Sequence, residues 1–149
     1  MTSPRPERGR VVGVDLGTKR VGVAVSDPGG ILASPYEVLA RTGDLDQDRR
    51  RLKAIVDEVE AVLVVVGLPL SMDGSMGRAA TAAVDEADRL AEVLAPVPVE
   101  TFDERLTTVS ADRSMMQGKM NAQARRKIVD MVAAAVMLQA WLDSREARI

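Results

Sequence analysis

Val11–Asp27 reads VVGVDLGTKRVGVAVSD, and the fold is decided there. Two short apolar runs, Val11–Leu16 and Val21–Val25, flank the turn Gly17-Thr18-Lys19-Arg20. β-Branched residues dominate both runs and the link is short, so the stretch is expected to form a β-hairpin. Strand alternation puts Val12 and Val14 on one face, and Val11, Gly13 and Asp15 on the other. Asp15 ends the first run, in a setting of Val and Gly where an unpaired buried charge is expensive. Gly13 and Gly17 leave open space beside it, and Lys19 and Arg20 bring positive charge to the turn. Two readings follow. Asp15 starts a turn, as Asp often does, or it is a carboxylate held at a strand end to bind a metal ion or contact a phosphate-bearing ligand.

Composition narrows the chemistry. The chain has 149 residues and is 46% hydrophobic, enough for one globular domain with a real core. It has no cysteine and no histidine. That excludes disulfides, thiolate nucleophiles, Cys-ligated zinc, Ser-His-Asp and Cys-His triads and imidazole bases. Acid–base and metal work then falls to Asp, Glu, Lys, Tyr or water, and oxygen-only ligands favour Mg²⁺ or Mn²⁺. The net charge of −2 carries no global signature for nucleic acid, so any such surface is local. No apolar run approaches the ~18 residues of a membrane span. The N-terminus lacks an apolar signal region, so a cytoplasmic protein is expected.

Outward from the hairpin, residues 1–9 form a polar, Pro-rich segment expected to be a disordered arm, and residues 10–145 form the single domain. Pro28-Gly29-Gly30 makes a second turn. Ile31–Leu39 supplies a third strand, which Pro35 confines to an edge or a bulge. Asp44–Glu60 has Leu45, Leu52, Ile55, Val56 and Val59 at helical spacing, with Arg49, Arg50, Arg51 and Lys53 on a face read as solvated. Ala61–Val66 (AVLVVV) is a continuous apolar run, the pattern of a central strand covered on both faces. The loop Gly67–Gly74 then lies beyond a strand's carboxyl end, where open α/β sheets bind ligands. A helix follows from about Met76 to Leu94, stopped by Pro96. Val97–Phe102 is a fifth strand running into Asp103-Glu104-Arg105. Thr107 caps a helix to Gln117, closed by Gly118. Lys119–Gln123 is a loop.

The last helix, Ala124–Asp143, contains IVDMVAAAVMLQAWL from Ile128 to Leu142, with only Asp130 and Gln139 polar. A helix apolar nearly all round is buried. Ala133 and Ala134 lie one turn on from Asp130 and leave room beside its carboxylate. Either a structural ion pair or a metal or phosphate partner would satisfy it. The pattern implies a mixed five-stranded sheet flanked by helices: an antiparallel part from the hairpin and third strand, then strands returning through crossover helices. Asp15 ends strand one, Asp103 and Glu104 end strand five, and Asp130 lies on a helix that could cover the sheet, so carboxylates from distant positions converge. Like charges gathered in this way are stabilised by cations. Two divalent ions ~3.5–4 Å apart are the usual device for in-line phosphodiester cleavage.

The same stretches resemble the motifs of the YqgF/RuvX family. Val14–Asp27 resembles its opening motif, Gly67–Gly74 its second, Asp103-Glu104-Arg105-Leu106-Thr107-Thr108 its third, and Ile128-Val129-Asp130 with Ala133–Ala135 and Leu138–Leu142 its last. The resemblance implies a ribonuclease H-like fold. It also implies Asp15, Glu104 and Asp130 as a catalytic, metal-binding triad for Mg²⁺ or Mn²⁺, and selects Glu104 over Asp103, which periodicity leaves open. The family is described both as nucleases maturing the 5′ end of pre-16S ribosomal RNA and as Holliday junction resolvases. The expected substrate is therefore ribosomal precursor RNA or branched DNA, with a homodimer in the resolvase case. Lys19, Arg20, Arg78 and Arg105 neighbour the motifs and are expected to hold the substrate backbone. The Met-rich region Met115–Asn121 with Lys119 departs from the family in loop detail. The actin-like and sugar-kinase ATPases open with a similar hairpin, but they need two such domains. Gly13–Lys19 lacks the spacing of a Walker loop. A non-catalytic RNA- or ribosome-binding module is the alternative of a different class. It has no need to gather negative charge at a phosphate site.

Overall fold

The computed structural model describes residues 9–69, 73, 75–103 and 122–146. The hairpin forms as its pattern dictates. β1 (Arg10–Leu16) pairs antiparallel with β2 (Arg20–Ser26), setting Val14 opposite Val23, Gly13 opposite Ala24 and Asp15 opposite Gly22. The turn is closed by the Gly17 amide donating to the Arg20 carbonyl at 2.9 Å, and a Cβ on Gly17 would lie 2.6 Å from that same oxygen. Only glycine fits there.

β3 (Ala33–Ala40) is antiparallel to β2 and lies at the sheet edge. The register shifts between Val23, which faces Glu37, and Ala24, which faces Pro35. Pro35 thus sits on an edge strand beside a bulge, where its missing N–H costs no ladder bond. The connector from β2 is organised by Asp27, whose carboxylate accepts from the amides of Leu32 and Ile31 at 2.7 Å each and of Gly29 at 3.2 Å. These bonds, those from Leu32 and Ile31 foremost, hold the Asp27 carboxyl below the usual carboxylate range.

α1 (Leu45–Glu58) starts at Asp44, whose side chain accepts from the amides of Asp46 and Gln47. Leu52, Ile55 and Val56 are buried as expected, but two positions differ. Leu45 is 48% exposed, and Arg49, assigned from sequence to the solvated face, is 91% buried (9% exposed). The reason is geometric. Arg49 is four residues from Leu45 and three from Leu52, on the inward stripe itself. Its guanidinium reaches out to Asp46 at 3.1 Å.

The chain returns as β4 (Ala61–Leu68), parallel to β1 and buried from Leu63 through Val66. α2 (Arg78–Leu94) buries Ala80, Ala83, Ala87, Leu90 and Leu94. β5 (Val99–Asp103) adds in parallel beyond β4, and α3 (Ala122–Glu146) follows. The sheet order is β3-β2-β1-β4-β5, the mixed five-stranded sheet expected. The helix expected at Thr107–Gln117 with its closing Gly118 lies outside the described residues, as do residues 1–8 of the arm.

Two apolar layers follow from the alternation. Val12, Val14, Val23, Val64 and Val66 join Leu52, Ile55, Leu90 and Leu94 of α1 and α2. On the opposite face Val11, Ala24, Leu63 and Val65 join Ala134, Met137, Leu138, Trp141 and Leu142 of α3. The small residues on that face let α3 lie close. A Cβ on Gly13 would sit 2.8 Å from the Leu138 Cβ. Gln139 ties α3 to the start of β3: its Oε1 accepts from the Ala33 amide and its Nε2 donates to the Ile31 carbonyl, each at 2.8 Å. Trp141 Nε1 reaches Glu100 at 3.4 Å, and the Arg145 guanidinium lies 4.8 Å from the Trp141 ring centre. No helix among the described residues is long and apolar enough to cross a membrane.

Candidate functional site

β1, β4 and β5 run parallel, so Asp15, Leu68 and Asp103 all stand at one end of the sheet. The β1–β2 turn projects from that end. Asp15 points to the α3 face, because it alternates with Gly13, whose α-carbon abuts Leu138. Directly across the ladder is Gly22, and opposite positions in an antiparallel pair stand ~4.5–5.5 Å apart at Cβ. Gly22 in turn meets α3 at one place. A Cβ there would lie 2.4 Å from the Asp130 carbonyl oxygen and 3.4 Å from the Ala134 Cβ. The missing side chain at Gly22 therefore lets α3 come down onto the sheet at Asp130 and Ala134. Asp15 and Asp130, 115 positions apart by their numbers, both flank one glycine.

Arg20 completes the cluster. Two residues before Gly22, it shares the α3 face, and its Nε donates to Asp130 Oδ2 at 2.5 Å. Both side chains stay partly open, at 29% and 30% exposure. The Asp130 carboxylate thus has a cation on it, the ion-pair alternative left open by the sequence. Lys19 is exposed at the turn, and Arg78 is the exposed first residue of α2, entered from the carboxyl end of β4. Asp103 is the last residue of β5. Glu104 and Arg105 lie outside the described residues, as do Leu70–Met72 and Gly74 of the β4 loop. Among the described residues no three acidic side chains come together closely enough to ligate a metal.

Sequence reasoning missed the residues that brace the turn. Arg41 donates through Nε to the Gly17 carbonyl at 2.7 Å and grips Glu86 of α2 with both terminal nitrogens, at 3.0 and 3.2 Å. Its own amide donates to the Lys19 carbonyl at 2.9 Å. A half-buried bidentate pair fixes geometry as well as charge. The turn beside Asp15 is therefore pinned to the sheet edge and to α2 at once. No local pattern announces Arg41. Gly22 had a signal: small residues recur at Gly22, Ala24 and Ser26, on the strand that alternation pairs with Gly13 and Asp15.

The donor chemistry fits a divalent ion. Asp15 and Asp130 are hard oxygen ligands of the kind Mg²⁺ and Mn²⁺ take. The Arg20 guanidinium on Asp130 Oδ2 shows that this carboxylate takes a cationic partner.

A family model described as RuvX, Holliday junction resolvase, matches residues 9–144. A protein of Mycobacterium sp. (strain KMS) named "Putative pre-16S rRNA nuclease" is 51% identical over 144 residues, covering 97% of this chain and 85% of its own. A relative of the same name from Mycolicibacterium smegmatis is 49% identical over 146 residues, covering 97% and 86%. Among solved structures, T. thermophilus RuvC in complex with a Holliday junction substrate superposes with a TM-score of 0.58 at 17% identity, covering 92% of this chain and 96% of that one. The yeast mitochondrial Holliday junction resolvase Ydc2 gives 0.56 at 12%, covering 94% and 80%. At such identities these two show the fold alone, which is ribonuclease H-like, as expected. With a family match spanning nearly all of the chain and relatives about half identical to it, the protein belongs to the RuvX family.

Proposed function

We propose that this chain is a divalent-metal-dependent endonuclease that hydrolyses phosphodiester bonds in the 5′-end maturation of pre-16S ribosomal RNA. The observation that carries the reading is that Asp15 stands opposite Gly22 in the ladder while the Asp130 main chain of α3 rests on that same glycine, at the sheet end where the hairpin turn presents Lys19 and Arg20. A site for binding nucleic acid alone gains nothing from two carboxylates facing the phosphate. A site for cutting it needs them to hold cations. The names of the relatives, about half identical over almost the full chain, supply the RNA.

Asp15 and Asp130 hold Mg²⁺ or Mn²⁺, with Glu104 as the third carboxylate. Two such ions, when bound, supply an activated water and stabilise the leaving oxygen. The chain's own part is to fix those carboxylates on rigid elements. Asp15 is locked in the β1–β2 ladder, and Asp130 is set by the seat of α3 on Gly13 and Gly22. Lys19, Arg78 and Arg105 neutralise the substrate backbone around them, joined by Arg20 once it is off Asp130. Contacts of this kind position the strand without reading its sequence.

Cleavage of branched DNA is the second reading. It is favoured by the family's description and by the likeness to a resolvase bound to a junction. That reading requires a homodimer, since symmetric cutting needs two sites related by a two-fold axis. One assay separates them: purified full chain with Mg²⁺ or Mn²⁺, incubated in parallel with a pre-16S precursor RNA and a four-way DNA junction. The proposal expects the RNA to be trimmed at its 5′ side at least about tenfold faster than the junction is cut, a difference of ~1.4 kcal/mol in barrier. Symmetric junction cleavage with the RNA intact assigns a resolvase. Binding of RNA with no cleavage in either metal assigns a binding module.

A further inference from the structure

The contact between Arg20 and Asp130 does not fit a plain structural role. It joins residues 110 positions apart at 2.5 Å, yet both side chains keep about three-tenths of their surface in solvent. The pair engages a carboxylate that the proposed function gives to a divalent ion. A guanidinium on Oδ2 takes one of the two ligand oxygens and repels a cation from the other. The backbone at Arg20 is fixed: its carbonyl accepts from Gly17, the neighbouring Lys19 carbonyl accepts from Arg41, and Gly17 is itself held by the Arg41 side chain. Only the side chain is left to move. It sits at the foot of the turn that carries the exposed Thr18 and Lys19.

Resting on the metal-dependent reading, we infer that Arg20 is a place-holding cation. It neutralises Asp130 while no divalent ion is bound, is displaced from it by the ion, and then turns outward to a backbone phosphate of the substrate. Metal and nucleic acid are thereby coupled through one side chain, and the coupling is reciprocal. The ion strengthens phosphate binding, and bound phosphate strengthens ion binding by the same factor. A fork-shaped guanidinium suits both partners, carboxylate and phosphate alike.

The test is calorimetric titration of Mn²⁺ into wild type, R20Q, R20K and K19Q, each checked for folding by thermal melting in EDTA. Removing the competitor in R20Q is expected to tighten Mn²⁺ binding by about fivefold, the upper range for a partly exposed ion pair. R20K, which keeps a cation for Asp130, stays within about twofold of wild type. K19Q takes the same charge from the same turn without touching Asp130 and also stays within about twofold, which separates displacement from general charge repulsion. The second arm needs no variant to fold: binding of a short single-stranded RNA, its integrity checked on a gel, measured against salt with and without Ca²⁺. In wild type Ca²⁺ should steepen the salt slope by about 0.7, the value for one added phosphate contact on a single strand. Where R20Q folds, its slope should move less. Equal Mn²⁺ affinity in wild type and R20Q, or a wild-type slope that ignores Ca²⁺, overturns the inference while leaving the metal site standing. A wild type that binds no Mn²⁺ overturns both.

Discussion

At the scale of single residues, the site depends on what is missing at position 22. An alanine there would place its Cβ 2.4 Å from a main-chain oxygen of α3. Helix backbone cannot swing aside as a side-chain tip can, so the helix must lift. Overpacking of this kind costs about 1–3 kcal/mol. G22A should therefore lower the unfolding free energy measured in urea by that amount and, by lifting Asp130 off the sheet, reduce cleavage more than the stability loss explains. A G22A enzyme that is destabilised but cleaves normally would detach the seat of α3 from the chemistry. Asp27 offers a separate test by pH. Its folded carboxyl lies below the ordinary value of ~3.9, because the amides of Leu32, Ile31 and Gly29 favour the charged form. A group depressed on folding contributes stability above its unfolded pKa and loses it as pH falls through the folded one. The stability gap between wild type and D27N should thus be constant near neutrality and close below about pH 4. A gap that stays constant down to pH 2 would contradict the loop's dependence on that charge.

At the scale of elements, α3 and the hairpin turn do different work. α3 brings Asp130 to the sheet, and its position along β3 is fixed by Gln139, which also donates to Asp143 at 3.0 Å. Q139A removes three hydrogen bonds at a partly exposed seam and should cost about 1.5–3 kcal/mol, at roughly 0.5–1 each. Hydrogen exchange at the Ala33 amide should speed up in that variant, whereas unchanged protection there would show that β3 is held by its ladder alone. These ties were illegible in the sequence for a plain reason. Gln139 and Ala33 are 106 positions apart, and Arg41 and Glu86 are 45 apart. No periodicity links such partners; only the finished topology does. Arg49 was legible and misread. Its spacing put it on the inward stripe, but its charge argued for the solvated face, and a long side chain can be buried along its stem while its head pairs with an exposed carboxylate, here Asp46.

At the scale of the whole molecule, the fold could be read because local patterns agreed with one another. Alternation in β1 separated Val12 and Val14 from Val11, Gly13 and Asp15, and the two cores divide along that line. Pro35 placed β3 at the edge, and the run Ala61–Val66 placed β4 inside. The place of Asp15 at a strand end and of Asp130 on a helix covering the sheet followed from the sequence. The choice of Glu104 over Asp103 did not, because adjacent residues at a strand end share no distinguishing period, and only the family resemblance chose. Charge balance was also beyond the sequence. Three acids converging suggests strong mutual repulsion, yet Arg20 already offsets Asp130, so D15N in EDTA should gain little, within about 0.5–1 kcal/mol of wild type by thermal melting. The most direct measurement of the site is Mg²⁺-dependent cleavage of the precursor RNA by wild type, D15N and D130N, each shown to be folded by circular dichroism. Metal-borne charge stabilisation is worth several kcal/mol, so both variants should lose about two to three orders of magnitude in rate. Activity within about tenfold of wild type in either folded variant, a change of ~1.4 kcal/mol or less, would contradict the assignment of that carboxylate to the catalytic site.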